Sequence, residues 1–224
     1  MSFQIIITSK DQSDSLIEMV EQLQKQFPGI KRLFVLDRCV DNSSTILSGL
    51  KESFIENKEG EGFLAGRARD LGLKFLGIEN TFFLDGDRIP VNFSTALVDK
   101  ALELYDICLA SVAEDIREIF KSEFVPNPSF KYMYNDVFSC GLSIRKKMME
   151  MITGIQQGRL FHPVFDGNFG EEDRYLGDVV YHFKGTCGLF PKESYLKGDF
   201  TKIKNWGPYV EQFRRRLELR KILQ

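Results

Sequence analysis

Asp85-Gly86-Asp87 sets two carboxylates one residue apart, directly after the apolar run Thr81 to Leu84 (TFFL). Carboxylates so spaced can address one hard divalent cation, which prefers oxygen ligands and keeps coordination positions for phosphate oxygens. The glycine between them removes side-chain bulk where a diphosphate would approach. Asp-Gly is also an ordinary turn signal, so the tripeptide alone leaves both readings open. Farther along, Glu171-Glu172-Asp173 opens a helical segment. The helix dipole would keep Asp173 ionised and ready to accept a proton, although acids in a first helical turn also serve as plain caps. Asp37 ends the apolar run Arg32 to Leu36, and Thr8, Ser9 and Lys10 close the first such run. Arg69 can bind a phosphate through charge-assisted hydrogen bonds or pair with a neighbouring acid.

These residues need elements that bring them together. Phe3 to Thr8 (FQIIIT) reads as a buried strand, followed by a helix capped at Ser13 or Asp14 with Leu16, Val20, Leu23 and Phe27 at helical spacing. Strand Arg32 to Leu36, a helix from Ser43 or Ser44 to Leu50, a weak strand at Phe54-Ile55, and a helix with Leu64, Ala68, Leu71 and Phe75 on its inner face come next. The strand at Thr81 to Leu84 is followed by a helix around Phe93 to Leu104 and a strand near Ile107 to Val112. Such alternation predicts a mostly parallel sheet with right-handed crossovers. Ligands then sit outside the carboxyl ends of the strands, where Asp37, Asp85 and Asp87 fall. Regularity fades between Glu114 and Asp136. Beyond it a strand over Phe138 to Ile144, a helix over Arg145 to Ile152, a loop from Gln156 to Gly170 and a helix from Glu171 are expected. The final helix, after Pro208, should turn Val210, Phe213 and Leu217 inward, with Arg214, Arg215, Arg216, Arg220 and Lys221 mostly outward.

The order of these motifs resembles family 2-type glycosyltransferases of the GT-A fold. Asp37 with Asp41-Asn42-Ser43, then Ala68-Arg69-Asp70-Leu71-Gly72 with Asp where the family has Asn, then Asp85-Gly86-Asp87, match the nucleotide-binding half over roughly 90 residues. Phe138 to Ser143 (FSCGLS) resembles the segment bordering donor sugar and acceptor, and Phe169-Gly170-Glu171-Glu172-Asp173 resembles the acceptor-site motif. The resemblance implies a GT-A (Rossmann-like) α/β fold with a mixed acceptor-side region and a C-terminal helix. It implies a metal-dependent transfer of a sugar from a nucleotide diphosphate donor, UDP-linked, to a hydroxyl acceptor, with inversion. In that reading Thr8, Ser9, Asp37, Arg69, Asp85 and Gly86 line the donor, and Asp37 meets the uracil imide. Asp85 and Asp87 hold Mn²⁺ or Mg²⁺, with His182, chosen over His162, as a downstream third ligand. Asp173 is the base, with Glu172 beside it. Chemistry agrees: a departing diphosphate needs charge neutralisation, and the acceptor needs a proton taken.

Composition bounds the alternatives. The chain has 224 residues, 43% of them apolar, enough for one packed domain. It divides into a catalytic domain over 1–191, with halves 1–112 and 113–191, and a basic extension over 192–224. The extension carries +5 and the rest −7. Those cations, near Trp206, Tyr209 and Phe213, could meet DNA or an anionic membrane surface, or form a solvated face. With the resemblance to glycosyltransferases, this implies a saccharide or a hydroxymethylated DNA base as the acceptor. Four scattered cysteines, no basic leader and no apolar stretch near the roughly 18 residues of a membrane span suit a cytoplasmic protein. Two other functions stay open. One is a sugar nucleotidyltransferase, for which Ser9-Lys10-Asp11-Gln12-Ser13 is a poor phosphate loop; the other is a non-catalytic module binding nucleotide sugar or nucleic acid.

Overall fold

A computed structural model describes residues 3–60, 64–110, 125–126, 141–167, 172–191, 193–198 and 209–223; for 125–126 and 209–213 only the backbone is described. Phe138 to Cys140, Phe169 to Glu171, Trp206 and the side chains of Tyr209, Val210 and Phe213 therefore lie outside the described residues.

The first strand, β1 (Gln4–Ser9), is buried along its whole length, as expected for a β-branched run covered on both faces. Helix α1 (Ser13–Gln26) leads to β2 (Arg32–Asp37), α2 (Ser43–Gly49), β3 (Phe54–Asn57), α3 (Ala65–Leu76) and β4 (Thr81–Asp85). Then come β5 (Ile89–Val91), α4 (Thr95–Leu104), β6 (Ile107–Leu109), β7 (Val125–Pro126), β8 (Gly141–Ile144) and α5 (Lys146–Ile155). A helical turn at Pro163–Phe165 precedes α6 (Glu172–His182), β9 (Cys187–Leu189), β10 (Tyr195–Lys197) and α7 (Tyr209–Ile222).

Among the described residues the main sheet has the order β3-β2-β1-β4-β8-β6-β9-β7. The pairings β2 to β3, β1 to β2, β1 to β4 and β6 to β9 are parallel. β8 is wedged antiparallel between β4 and β6, so the sheet is mostly parallel in its first half and mixed in its second, as the motif order implies. A separate ribbon pairs β5 with β10. None of β5, β9 and β10 was expected: each is three residues long, too short for periodicity to register.

The pleat splits β1 between two cores. Ile6 joins Leu33, Val35, Ala68 and Phe83, whereas Ile5 and Ile7 join Leu16, Val20, Phe34 and Phe82. On the expected inner face of α3, Leu64 and Ala68 are buried and Leu71 packs against the core, whereas Phe75 is 65% exposed. Gly66, Arg69, Gly72 and Leu73 are buried as well. At Gly72 a Cβ would lie 2.7 Å from Ile6 Cγ2 and 3.2 Å from Val35 Cγ2, so the helix backbone rests directly on the sheet.

The last helix departs from expectation at Arg216 and Leu217. Arg216 is buried and its guanidinium donates to Asp178 of α6 through Nε (2.7 Å) and Nη2 (3.1 Å), while Leu217 is exposed. Arg215 Nη1 donates to the Val164 carbonyl. Leu219 and Leu223 complete the inward stripe against the core. Among the described residues, no helix is long and apolar enough to cross a membrane.

Candidate functional site

The parallel strands end along one edge, which gathers residues distant in sequence. Thr8 is paired with Asp85 across β1 and β4, and Asp37 with Asn57 across β2 and β3. Asp85 Oδ1 accepts hydrogen bonds from Thr8 Oγ1 at 3.0 Å and from Arg69 Nη2 at 2.7 Å. Arg69 is 2% exposed and lies over the Phe161 ring, 5.2 Å from its centroid. Burial disfavours its charge, but Asp85 and then Glu172 outweigh that and hold its pKa above the usual arginine value. The pairing of Arg69 with a neighbouring acid, one of its two expected roles, is present: the arginine holds the Asp85 carboxylate.

Glu172, at the start of α6, is the other buried member. Burial pushes its carboxyl up to about 8, Asp173 adds to the rise, and Arg69 opposes it. Its Oε2, like Nε and Nη1 of Arg69, has no hydrogen-bond partner among the described residues. Asp173 is half-buried and its Oδ1 accepts from the Arg174 amide at 2.8 Å. Helix α6 therefore delivers the predicted acidic pair to the Arg69 and Asp85 end of the sheet.

Gly86 is required by packing. A Cβ there would come within 2.7 Å of Ser9 Cβ and 2.8 Å of Ser9 Oγ. Its amide donates to the Thr8 carbonyl at 2.7 Å, and its own carbonyl accepts from Ser15 Oγ at 2.9 Å. The turn is so tied to β1 and α1, leaving the Asp85 and Asp87 side chains 30% and 35% exposed. Asp87 Oδ1 lies 3.6 Å from Nε of the mostly buried Arg88. Gly198, after β10, seats against the Asp87 carbonyl and Arg88.

Asp37 is buried and accepts from Asn57 Nδ2 at 2.7 Å and from both Nε and Nη2 of Arg38. Arg38 folds back on its neighbour because its φ of 51° is left-handed. A carboxylate has about four acceptor sites, so among the described residues one on Oδ2 is left open. Asp41 accepts from the Ser13 and Ser43 amides, tying the starts of α1 and α2 together. Burial opposes its charge, but hydrogen bonds from Ser43 and Ser13 prevail and hold its carboxyl below the ordinary value.

His182 is not brought to the aspartates. It closes α6 at the end opposite Glu172, about 15 Å away along the helix axis, and it is exposed. His162 lies nearer, in a crevice with Gly66, Phe165 and Glu172, with Nδ1 accepting from the Val164 amide. The Asp85 and Asp87 carboxylates, both partly exposed, are the pair that could hold a hard divalent cation. Among the described residues a metal-capable trio occurs only at Asp11, Cys39 and Asp41, where Asp41 is already engaged by both helix starts.

Sequence reasoning missed Asn57, Phe161, Arg88, Arg159 and Gly198. Only Arg159 had a signal, because Asp70, the departure from the family's Asn, is its partner.

The sheet and its flanking helices have the GT-A type of α/β fold. The chain is similar to residues 1–349 of S. aureus TarS, with a TM-score of 0.69 at 18% identity, covering 100% of this chain and 65% of that one. The same TarS segment in complex with UDP matches at 0.68 and in complex with UDP-GlcNAc at 0.65. This chain spans 39% of the longer TarS structure. No family model matches the sequence, and no curated protein matches it.

Proposed function

We propose that the chain is a metal-dependent glycosyltransferase that moves a sugar from a UDP-linked donor to a hydroxyl acceptor on a saccharide. The observation that carries this reading is the convergence of Asp85, fixed by Thr8 and Arg69, with Glu172 and Asp173 at the carboxyl edge of a GT-A-type sheet. The likeness to TarS, which has been crystallised with UDP and with UDP-GlcNAc, supports the donor class.

Asp85 and Asp87 would hold Mn²⁺ or Mg²⁺, and a cation bound there supplies Lewis-acid neutralisation of the departing diphosphate. Asp37 accepts the uracil imide hydrogen through its remaining Oδ2 site. Thr8 and Ser9 border the donor from the end of β1. Asp173 takes the proton from the acceptor hydroxyl as that oxygen bonds to the anomeric carbon and the bond to the diphosphate breaks, inverting the configuration. Glu172, keeping its proton to about pH 8, adds no second negative charge beside the base near neutral pH.

The DNA acceptor loses support from the last helix. Arg216 is buried on Asp178 and Arg215 is drawn to a backbone carbonyl, which removes cations from any phosphate-binding face.

The test is donor turnover across a panel of UDP-sugars with Mn²⁺. Asp85→Ala should abolish both binding and turnover. Asp173→Asn should retain donor affinity and lose turnover by about a hundredfold or more. Release of pyrophosphate from a nucleoside triphosphate would instead favour a nucleotidyltransferase, and full turnover in either variant would defeat the assignment.

A further inference from the structure

The residue beside Arg69 on α3 anchors a network in which neither the metal nor the base takes part. Asp70 Oδ1 accepts the amides of Leu160 (2.8 Å) and Phe161 (3.4 Å), and its Oδ2 accepts from Arg159 Nε (2.8 Å). Arg159 then grips Asp166 with both terminal nitrogens, at 2.7 and 2.9 Å. A forked guanidinium between two carboxylates fixes direction as well as distance. The span so closed, 159–166, contains Phe161. That ring is 1% exposed, meets Phe83 of β4 edge-on at 6.0 Å, and presents itself to Arg69 at 5.2 Å. Gly66 makes room for it, since a Cβ there would lie 2.8 Å from Phe161 Cβ. The chain continues from Asp166 to α6 and the Glu172 and Asp173 pair. The Asp70 side chain is 13% exposed; burial pushes its carboxyl up to about 6, with the Arg159 hydrogen bond opposing. An Asn at this position could not pair with Arg159 as a carboxylate does.

We infer that Asp70, Arg159 and Asp166 form a clip that positions Arg69 through Phe161, so that Asp85 meets the donor in one orientation. These are positioning residues, and the inference rests on the donor reading of the site given above. A staple with only a structural role would lower stability and leave the donor site of the folded protein intact. The clip instead acts in series with Phe161 on Arg69.

The probe is UDP with Mn²⁺, titrated calorimetrically against the full chain and against Arg159→Gln, Arg159→Lys, Phe161→Leu and the Arg159→Gln/Phe161→Leu double variant. Arg159→Gln should weaken UDP binding about tenfold, the scale on which partners behind a ligand shell act. Arg159→Lys, which keeps the charge and loses the fork, should fall between it and the parent. The double variant should be no weaker than its worse single parent, because residues acting in series are not additive. In parallel, the Arg69 Nε–H resonance, whose burial should slow its exchange in the parent, should shift and exchange faster in Arg159→Gln. Folded Arg159→Gln that binds UDP within about twofold of the parent, or losses that add in full, overturns the clip. If Arg159→Gln does not fold, Arg159→Lys carries the same measurements. If the parent itself ignores UDP, the donor reading fails, and the Arg69 resonance still decides the clip: unmoved in the Arg159 variants, it overturns it.

Discussion

Glu172 joins stability to chemistry through a single proton. Its carboxyl lies at about 8 in the folded chain against an ordinary value near 4.5, because burial and the neighbouring Asp173 both disfavour the charge. An acid whose folded value is raised binds its proton more tightly when folded, so folding takes up a proton between those two values. Its contribution to stability is present below the unfolded value and is lost as pH rises through the folded one. The melting temperature of the metal-free protein should therefore fall from about pH 5 to about pH 8.5, and Glu172→Gln should flatten that fall. Equal slopes in the two proteins would show that Glu172 titrates normally. At this scale the sequence exposed the acids but not their states. Asp37, Asp85 and Asp173 were legible from their places after strands and at a helix start. The burial of Arg69 was not, since a polar residue in a helical pattern reads as solvated until a partner carboxylate is placed against it.

At the scale of elements, two helices depart from their expected faces at particular positions, α3 at Phe75 and α7 at Arg216 and Leu217. In α3 the backbone rests on β1 and β2 at Gly72, and Phe75 is left exposed. In α7 the inward position is an arginine. Arg216 and Asp178 are each 4% exposed in their side chains, and they tie α7 to α6, the helix that carries Asp173. Removing one partner of a buried pair strands the other, so Arg216→Ala should destabilise by about 3–5 kcal/mol. Arg216→Met with Asp178→Leu should recover most of that loss, because well-packed apolar residues often replace such a pair without cost. Chemical denaturation of the two variants decides this, and equal losses in both would mean that packing, not the charge, is what matters there. Arg220 Nε, 4.0 Å from Asp178, sets the lower end of the range.

For the whole molecule, the donor and the cation should behave as ligands of the native state alone. With UDP and Mn²⁺ at a hundred times their dissociation constant, stability should rise by about 2.7 kcal/mol, or roughly 5–10 °C for a chain of this size. EDTA should erase the gain, and so should Asp85→Ala; a gain that survives either treatment would place UDP elsewhere. The sheet topology makes such linkage reasonable, since the edge that would hold the donor is assembled from the ends of β1, β2, β3 and β4 together with the start of α6. What the sequence determined by itself was local: strand and helix periodicity, the turn chemistry of Asp85-Gly86-Asp87, and the order in which acids follow strands, all encoded within windows of a few residues. What only the tertiary structure decided was which groups meet across the sequence, as with Thr8 and Asp85, 77 positions apart, or Asp70 and Arg159, 89 apart. Burial and dielectric are properties of the assembled whole, and from them follow the raised carboxyl of Glu172, the orienting role of Arg69 and the placing of His182 away from the aspartates.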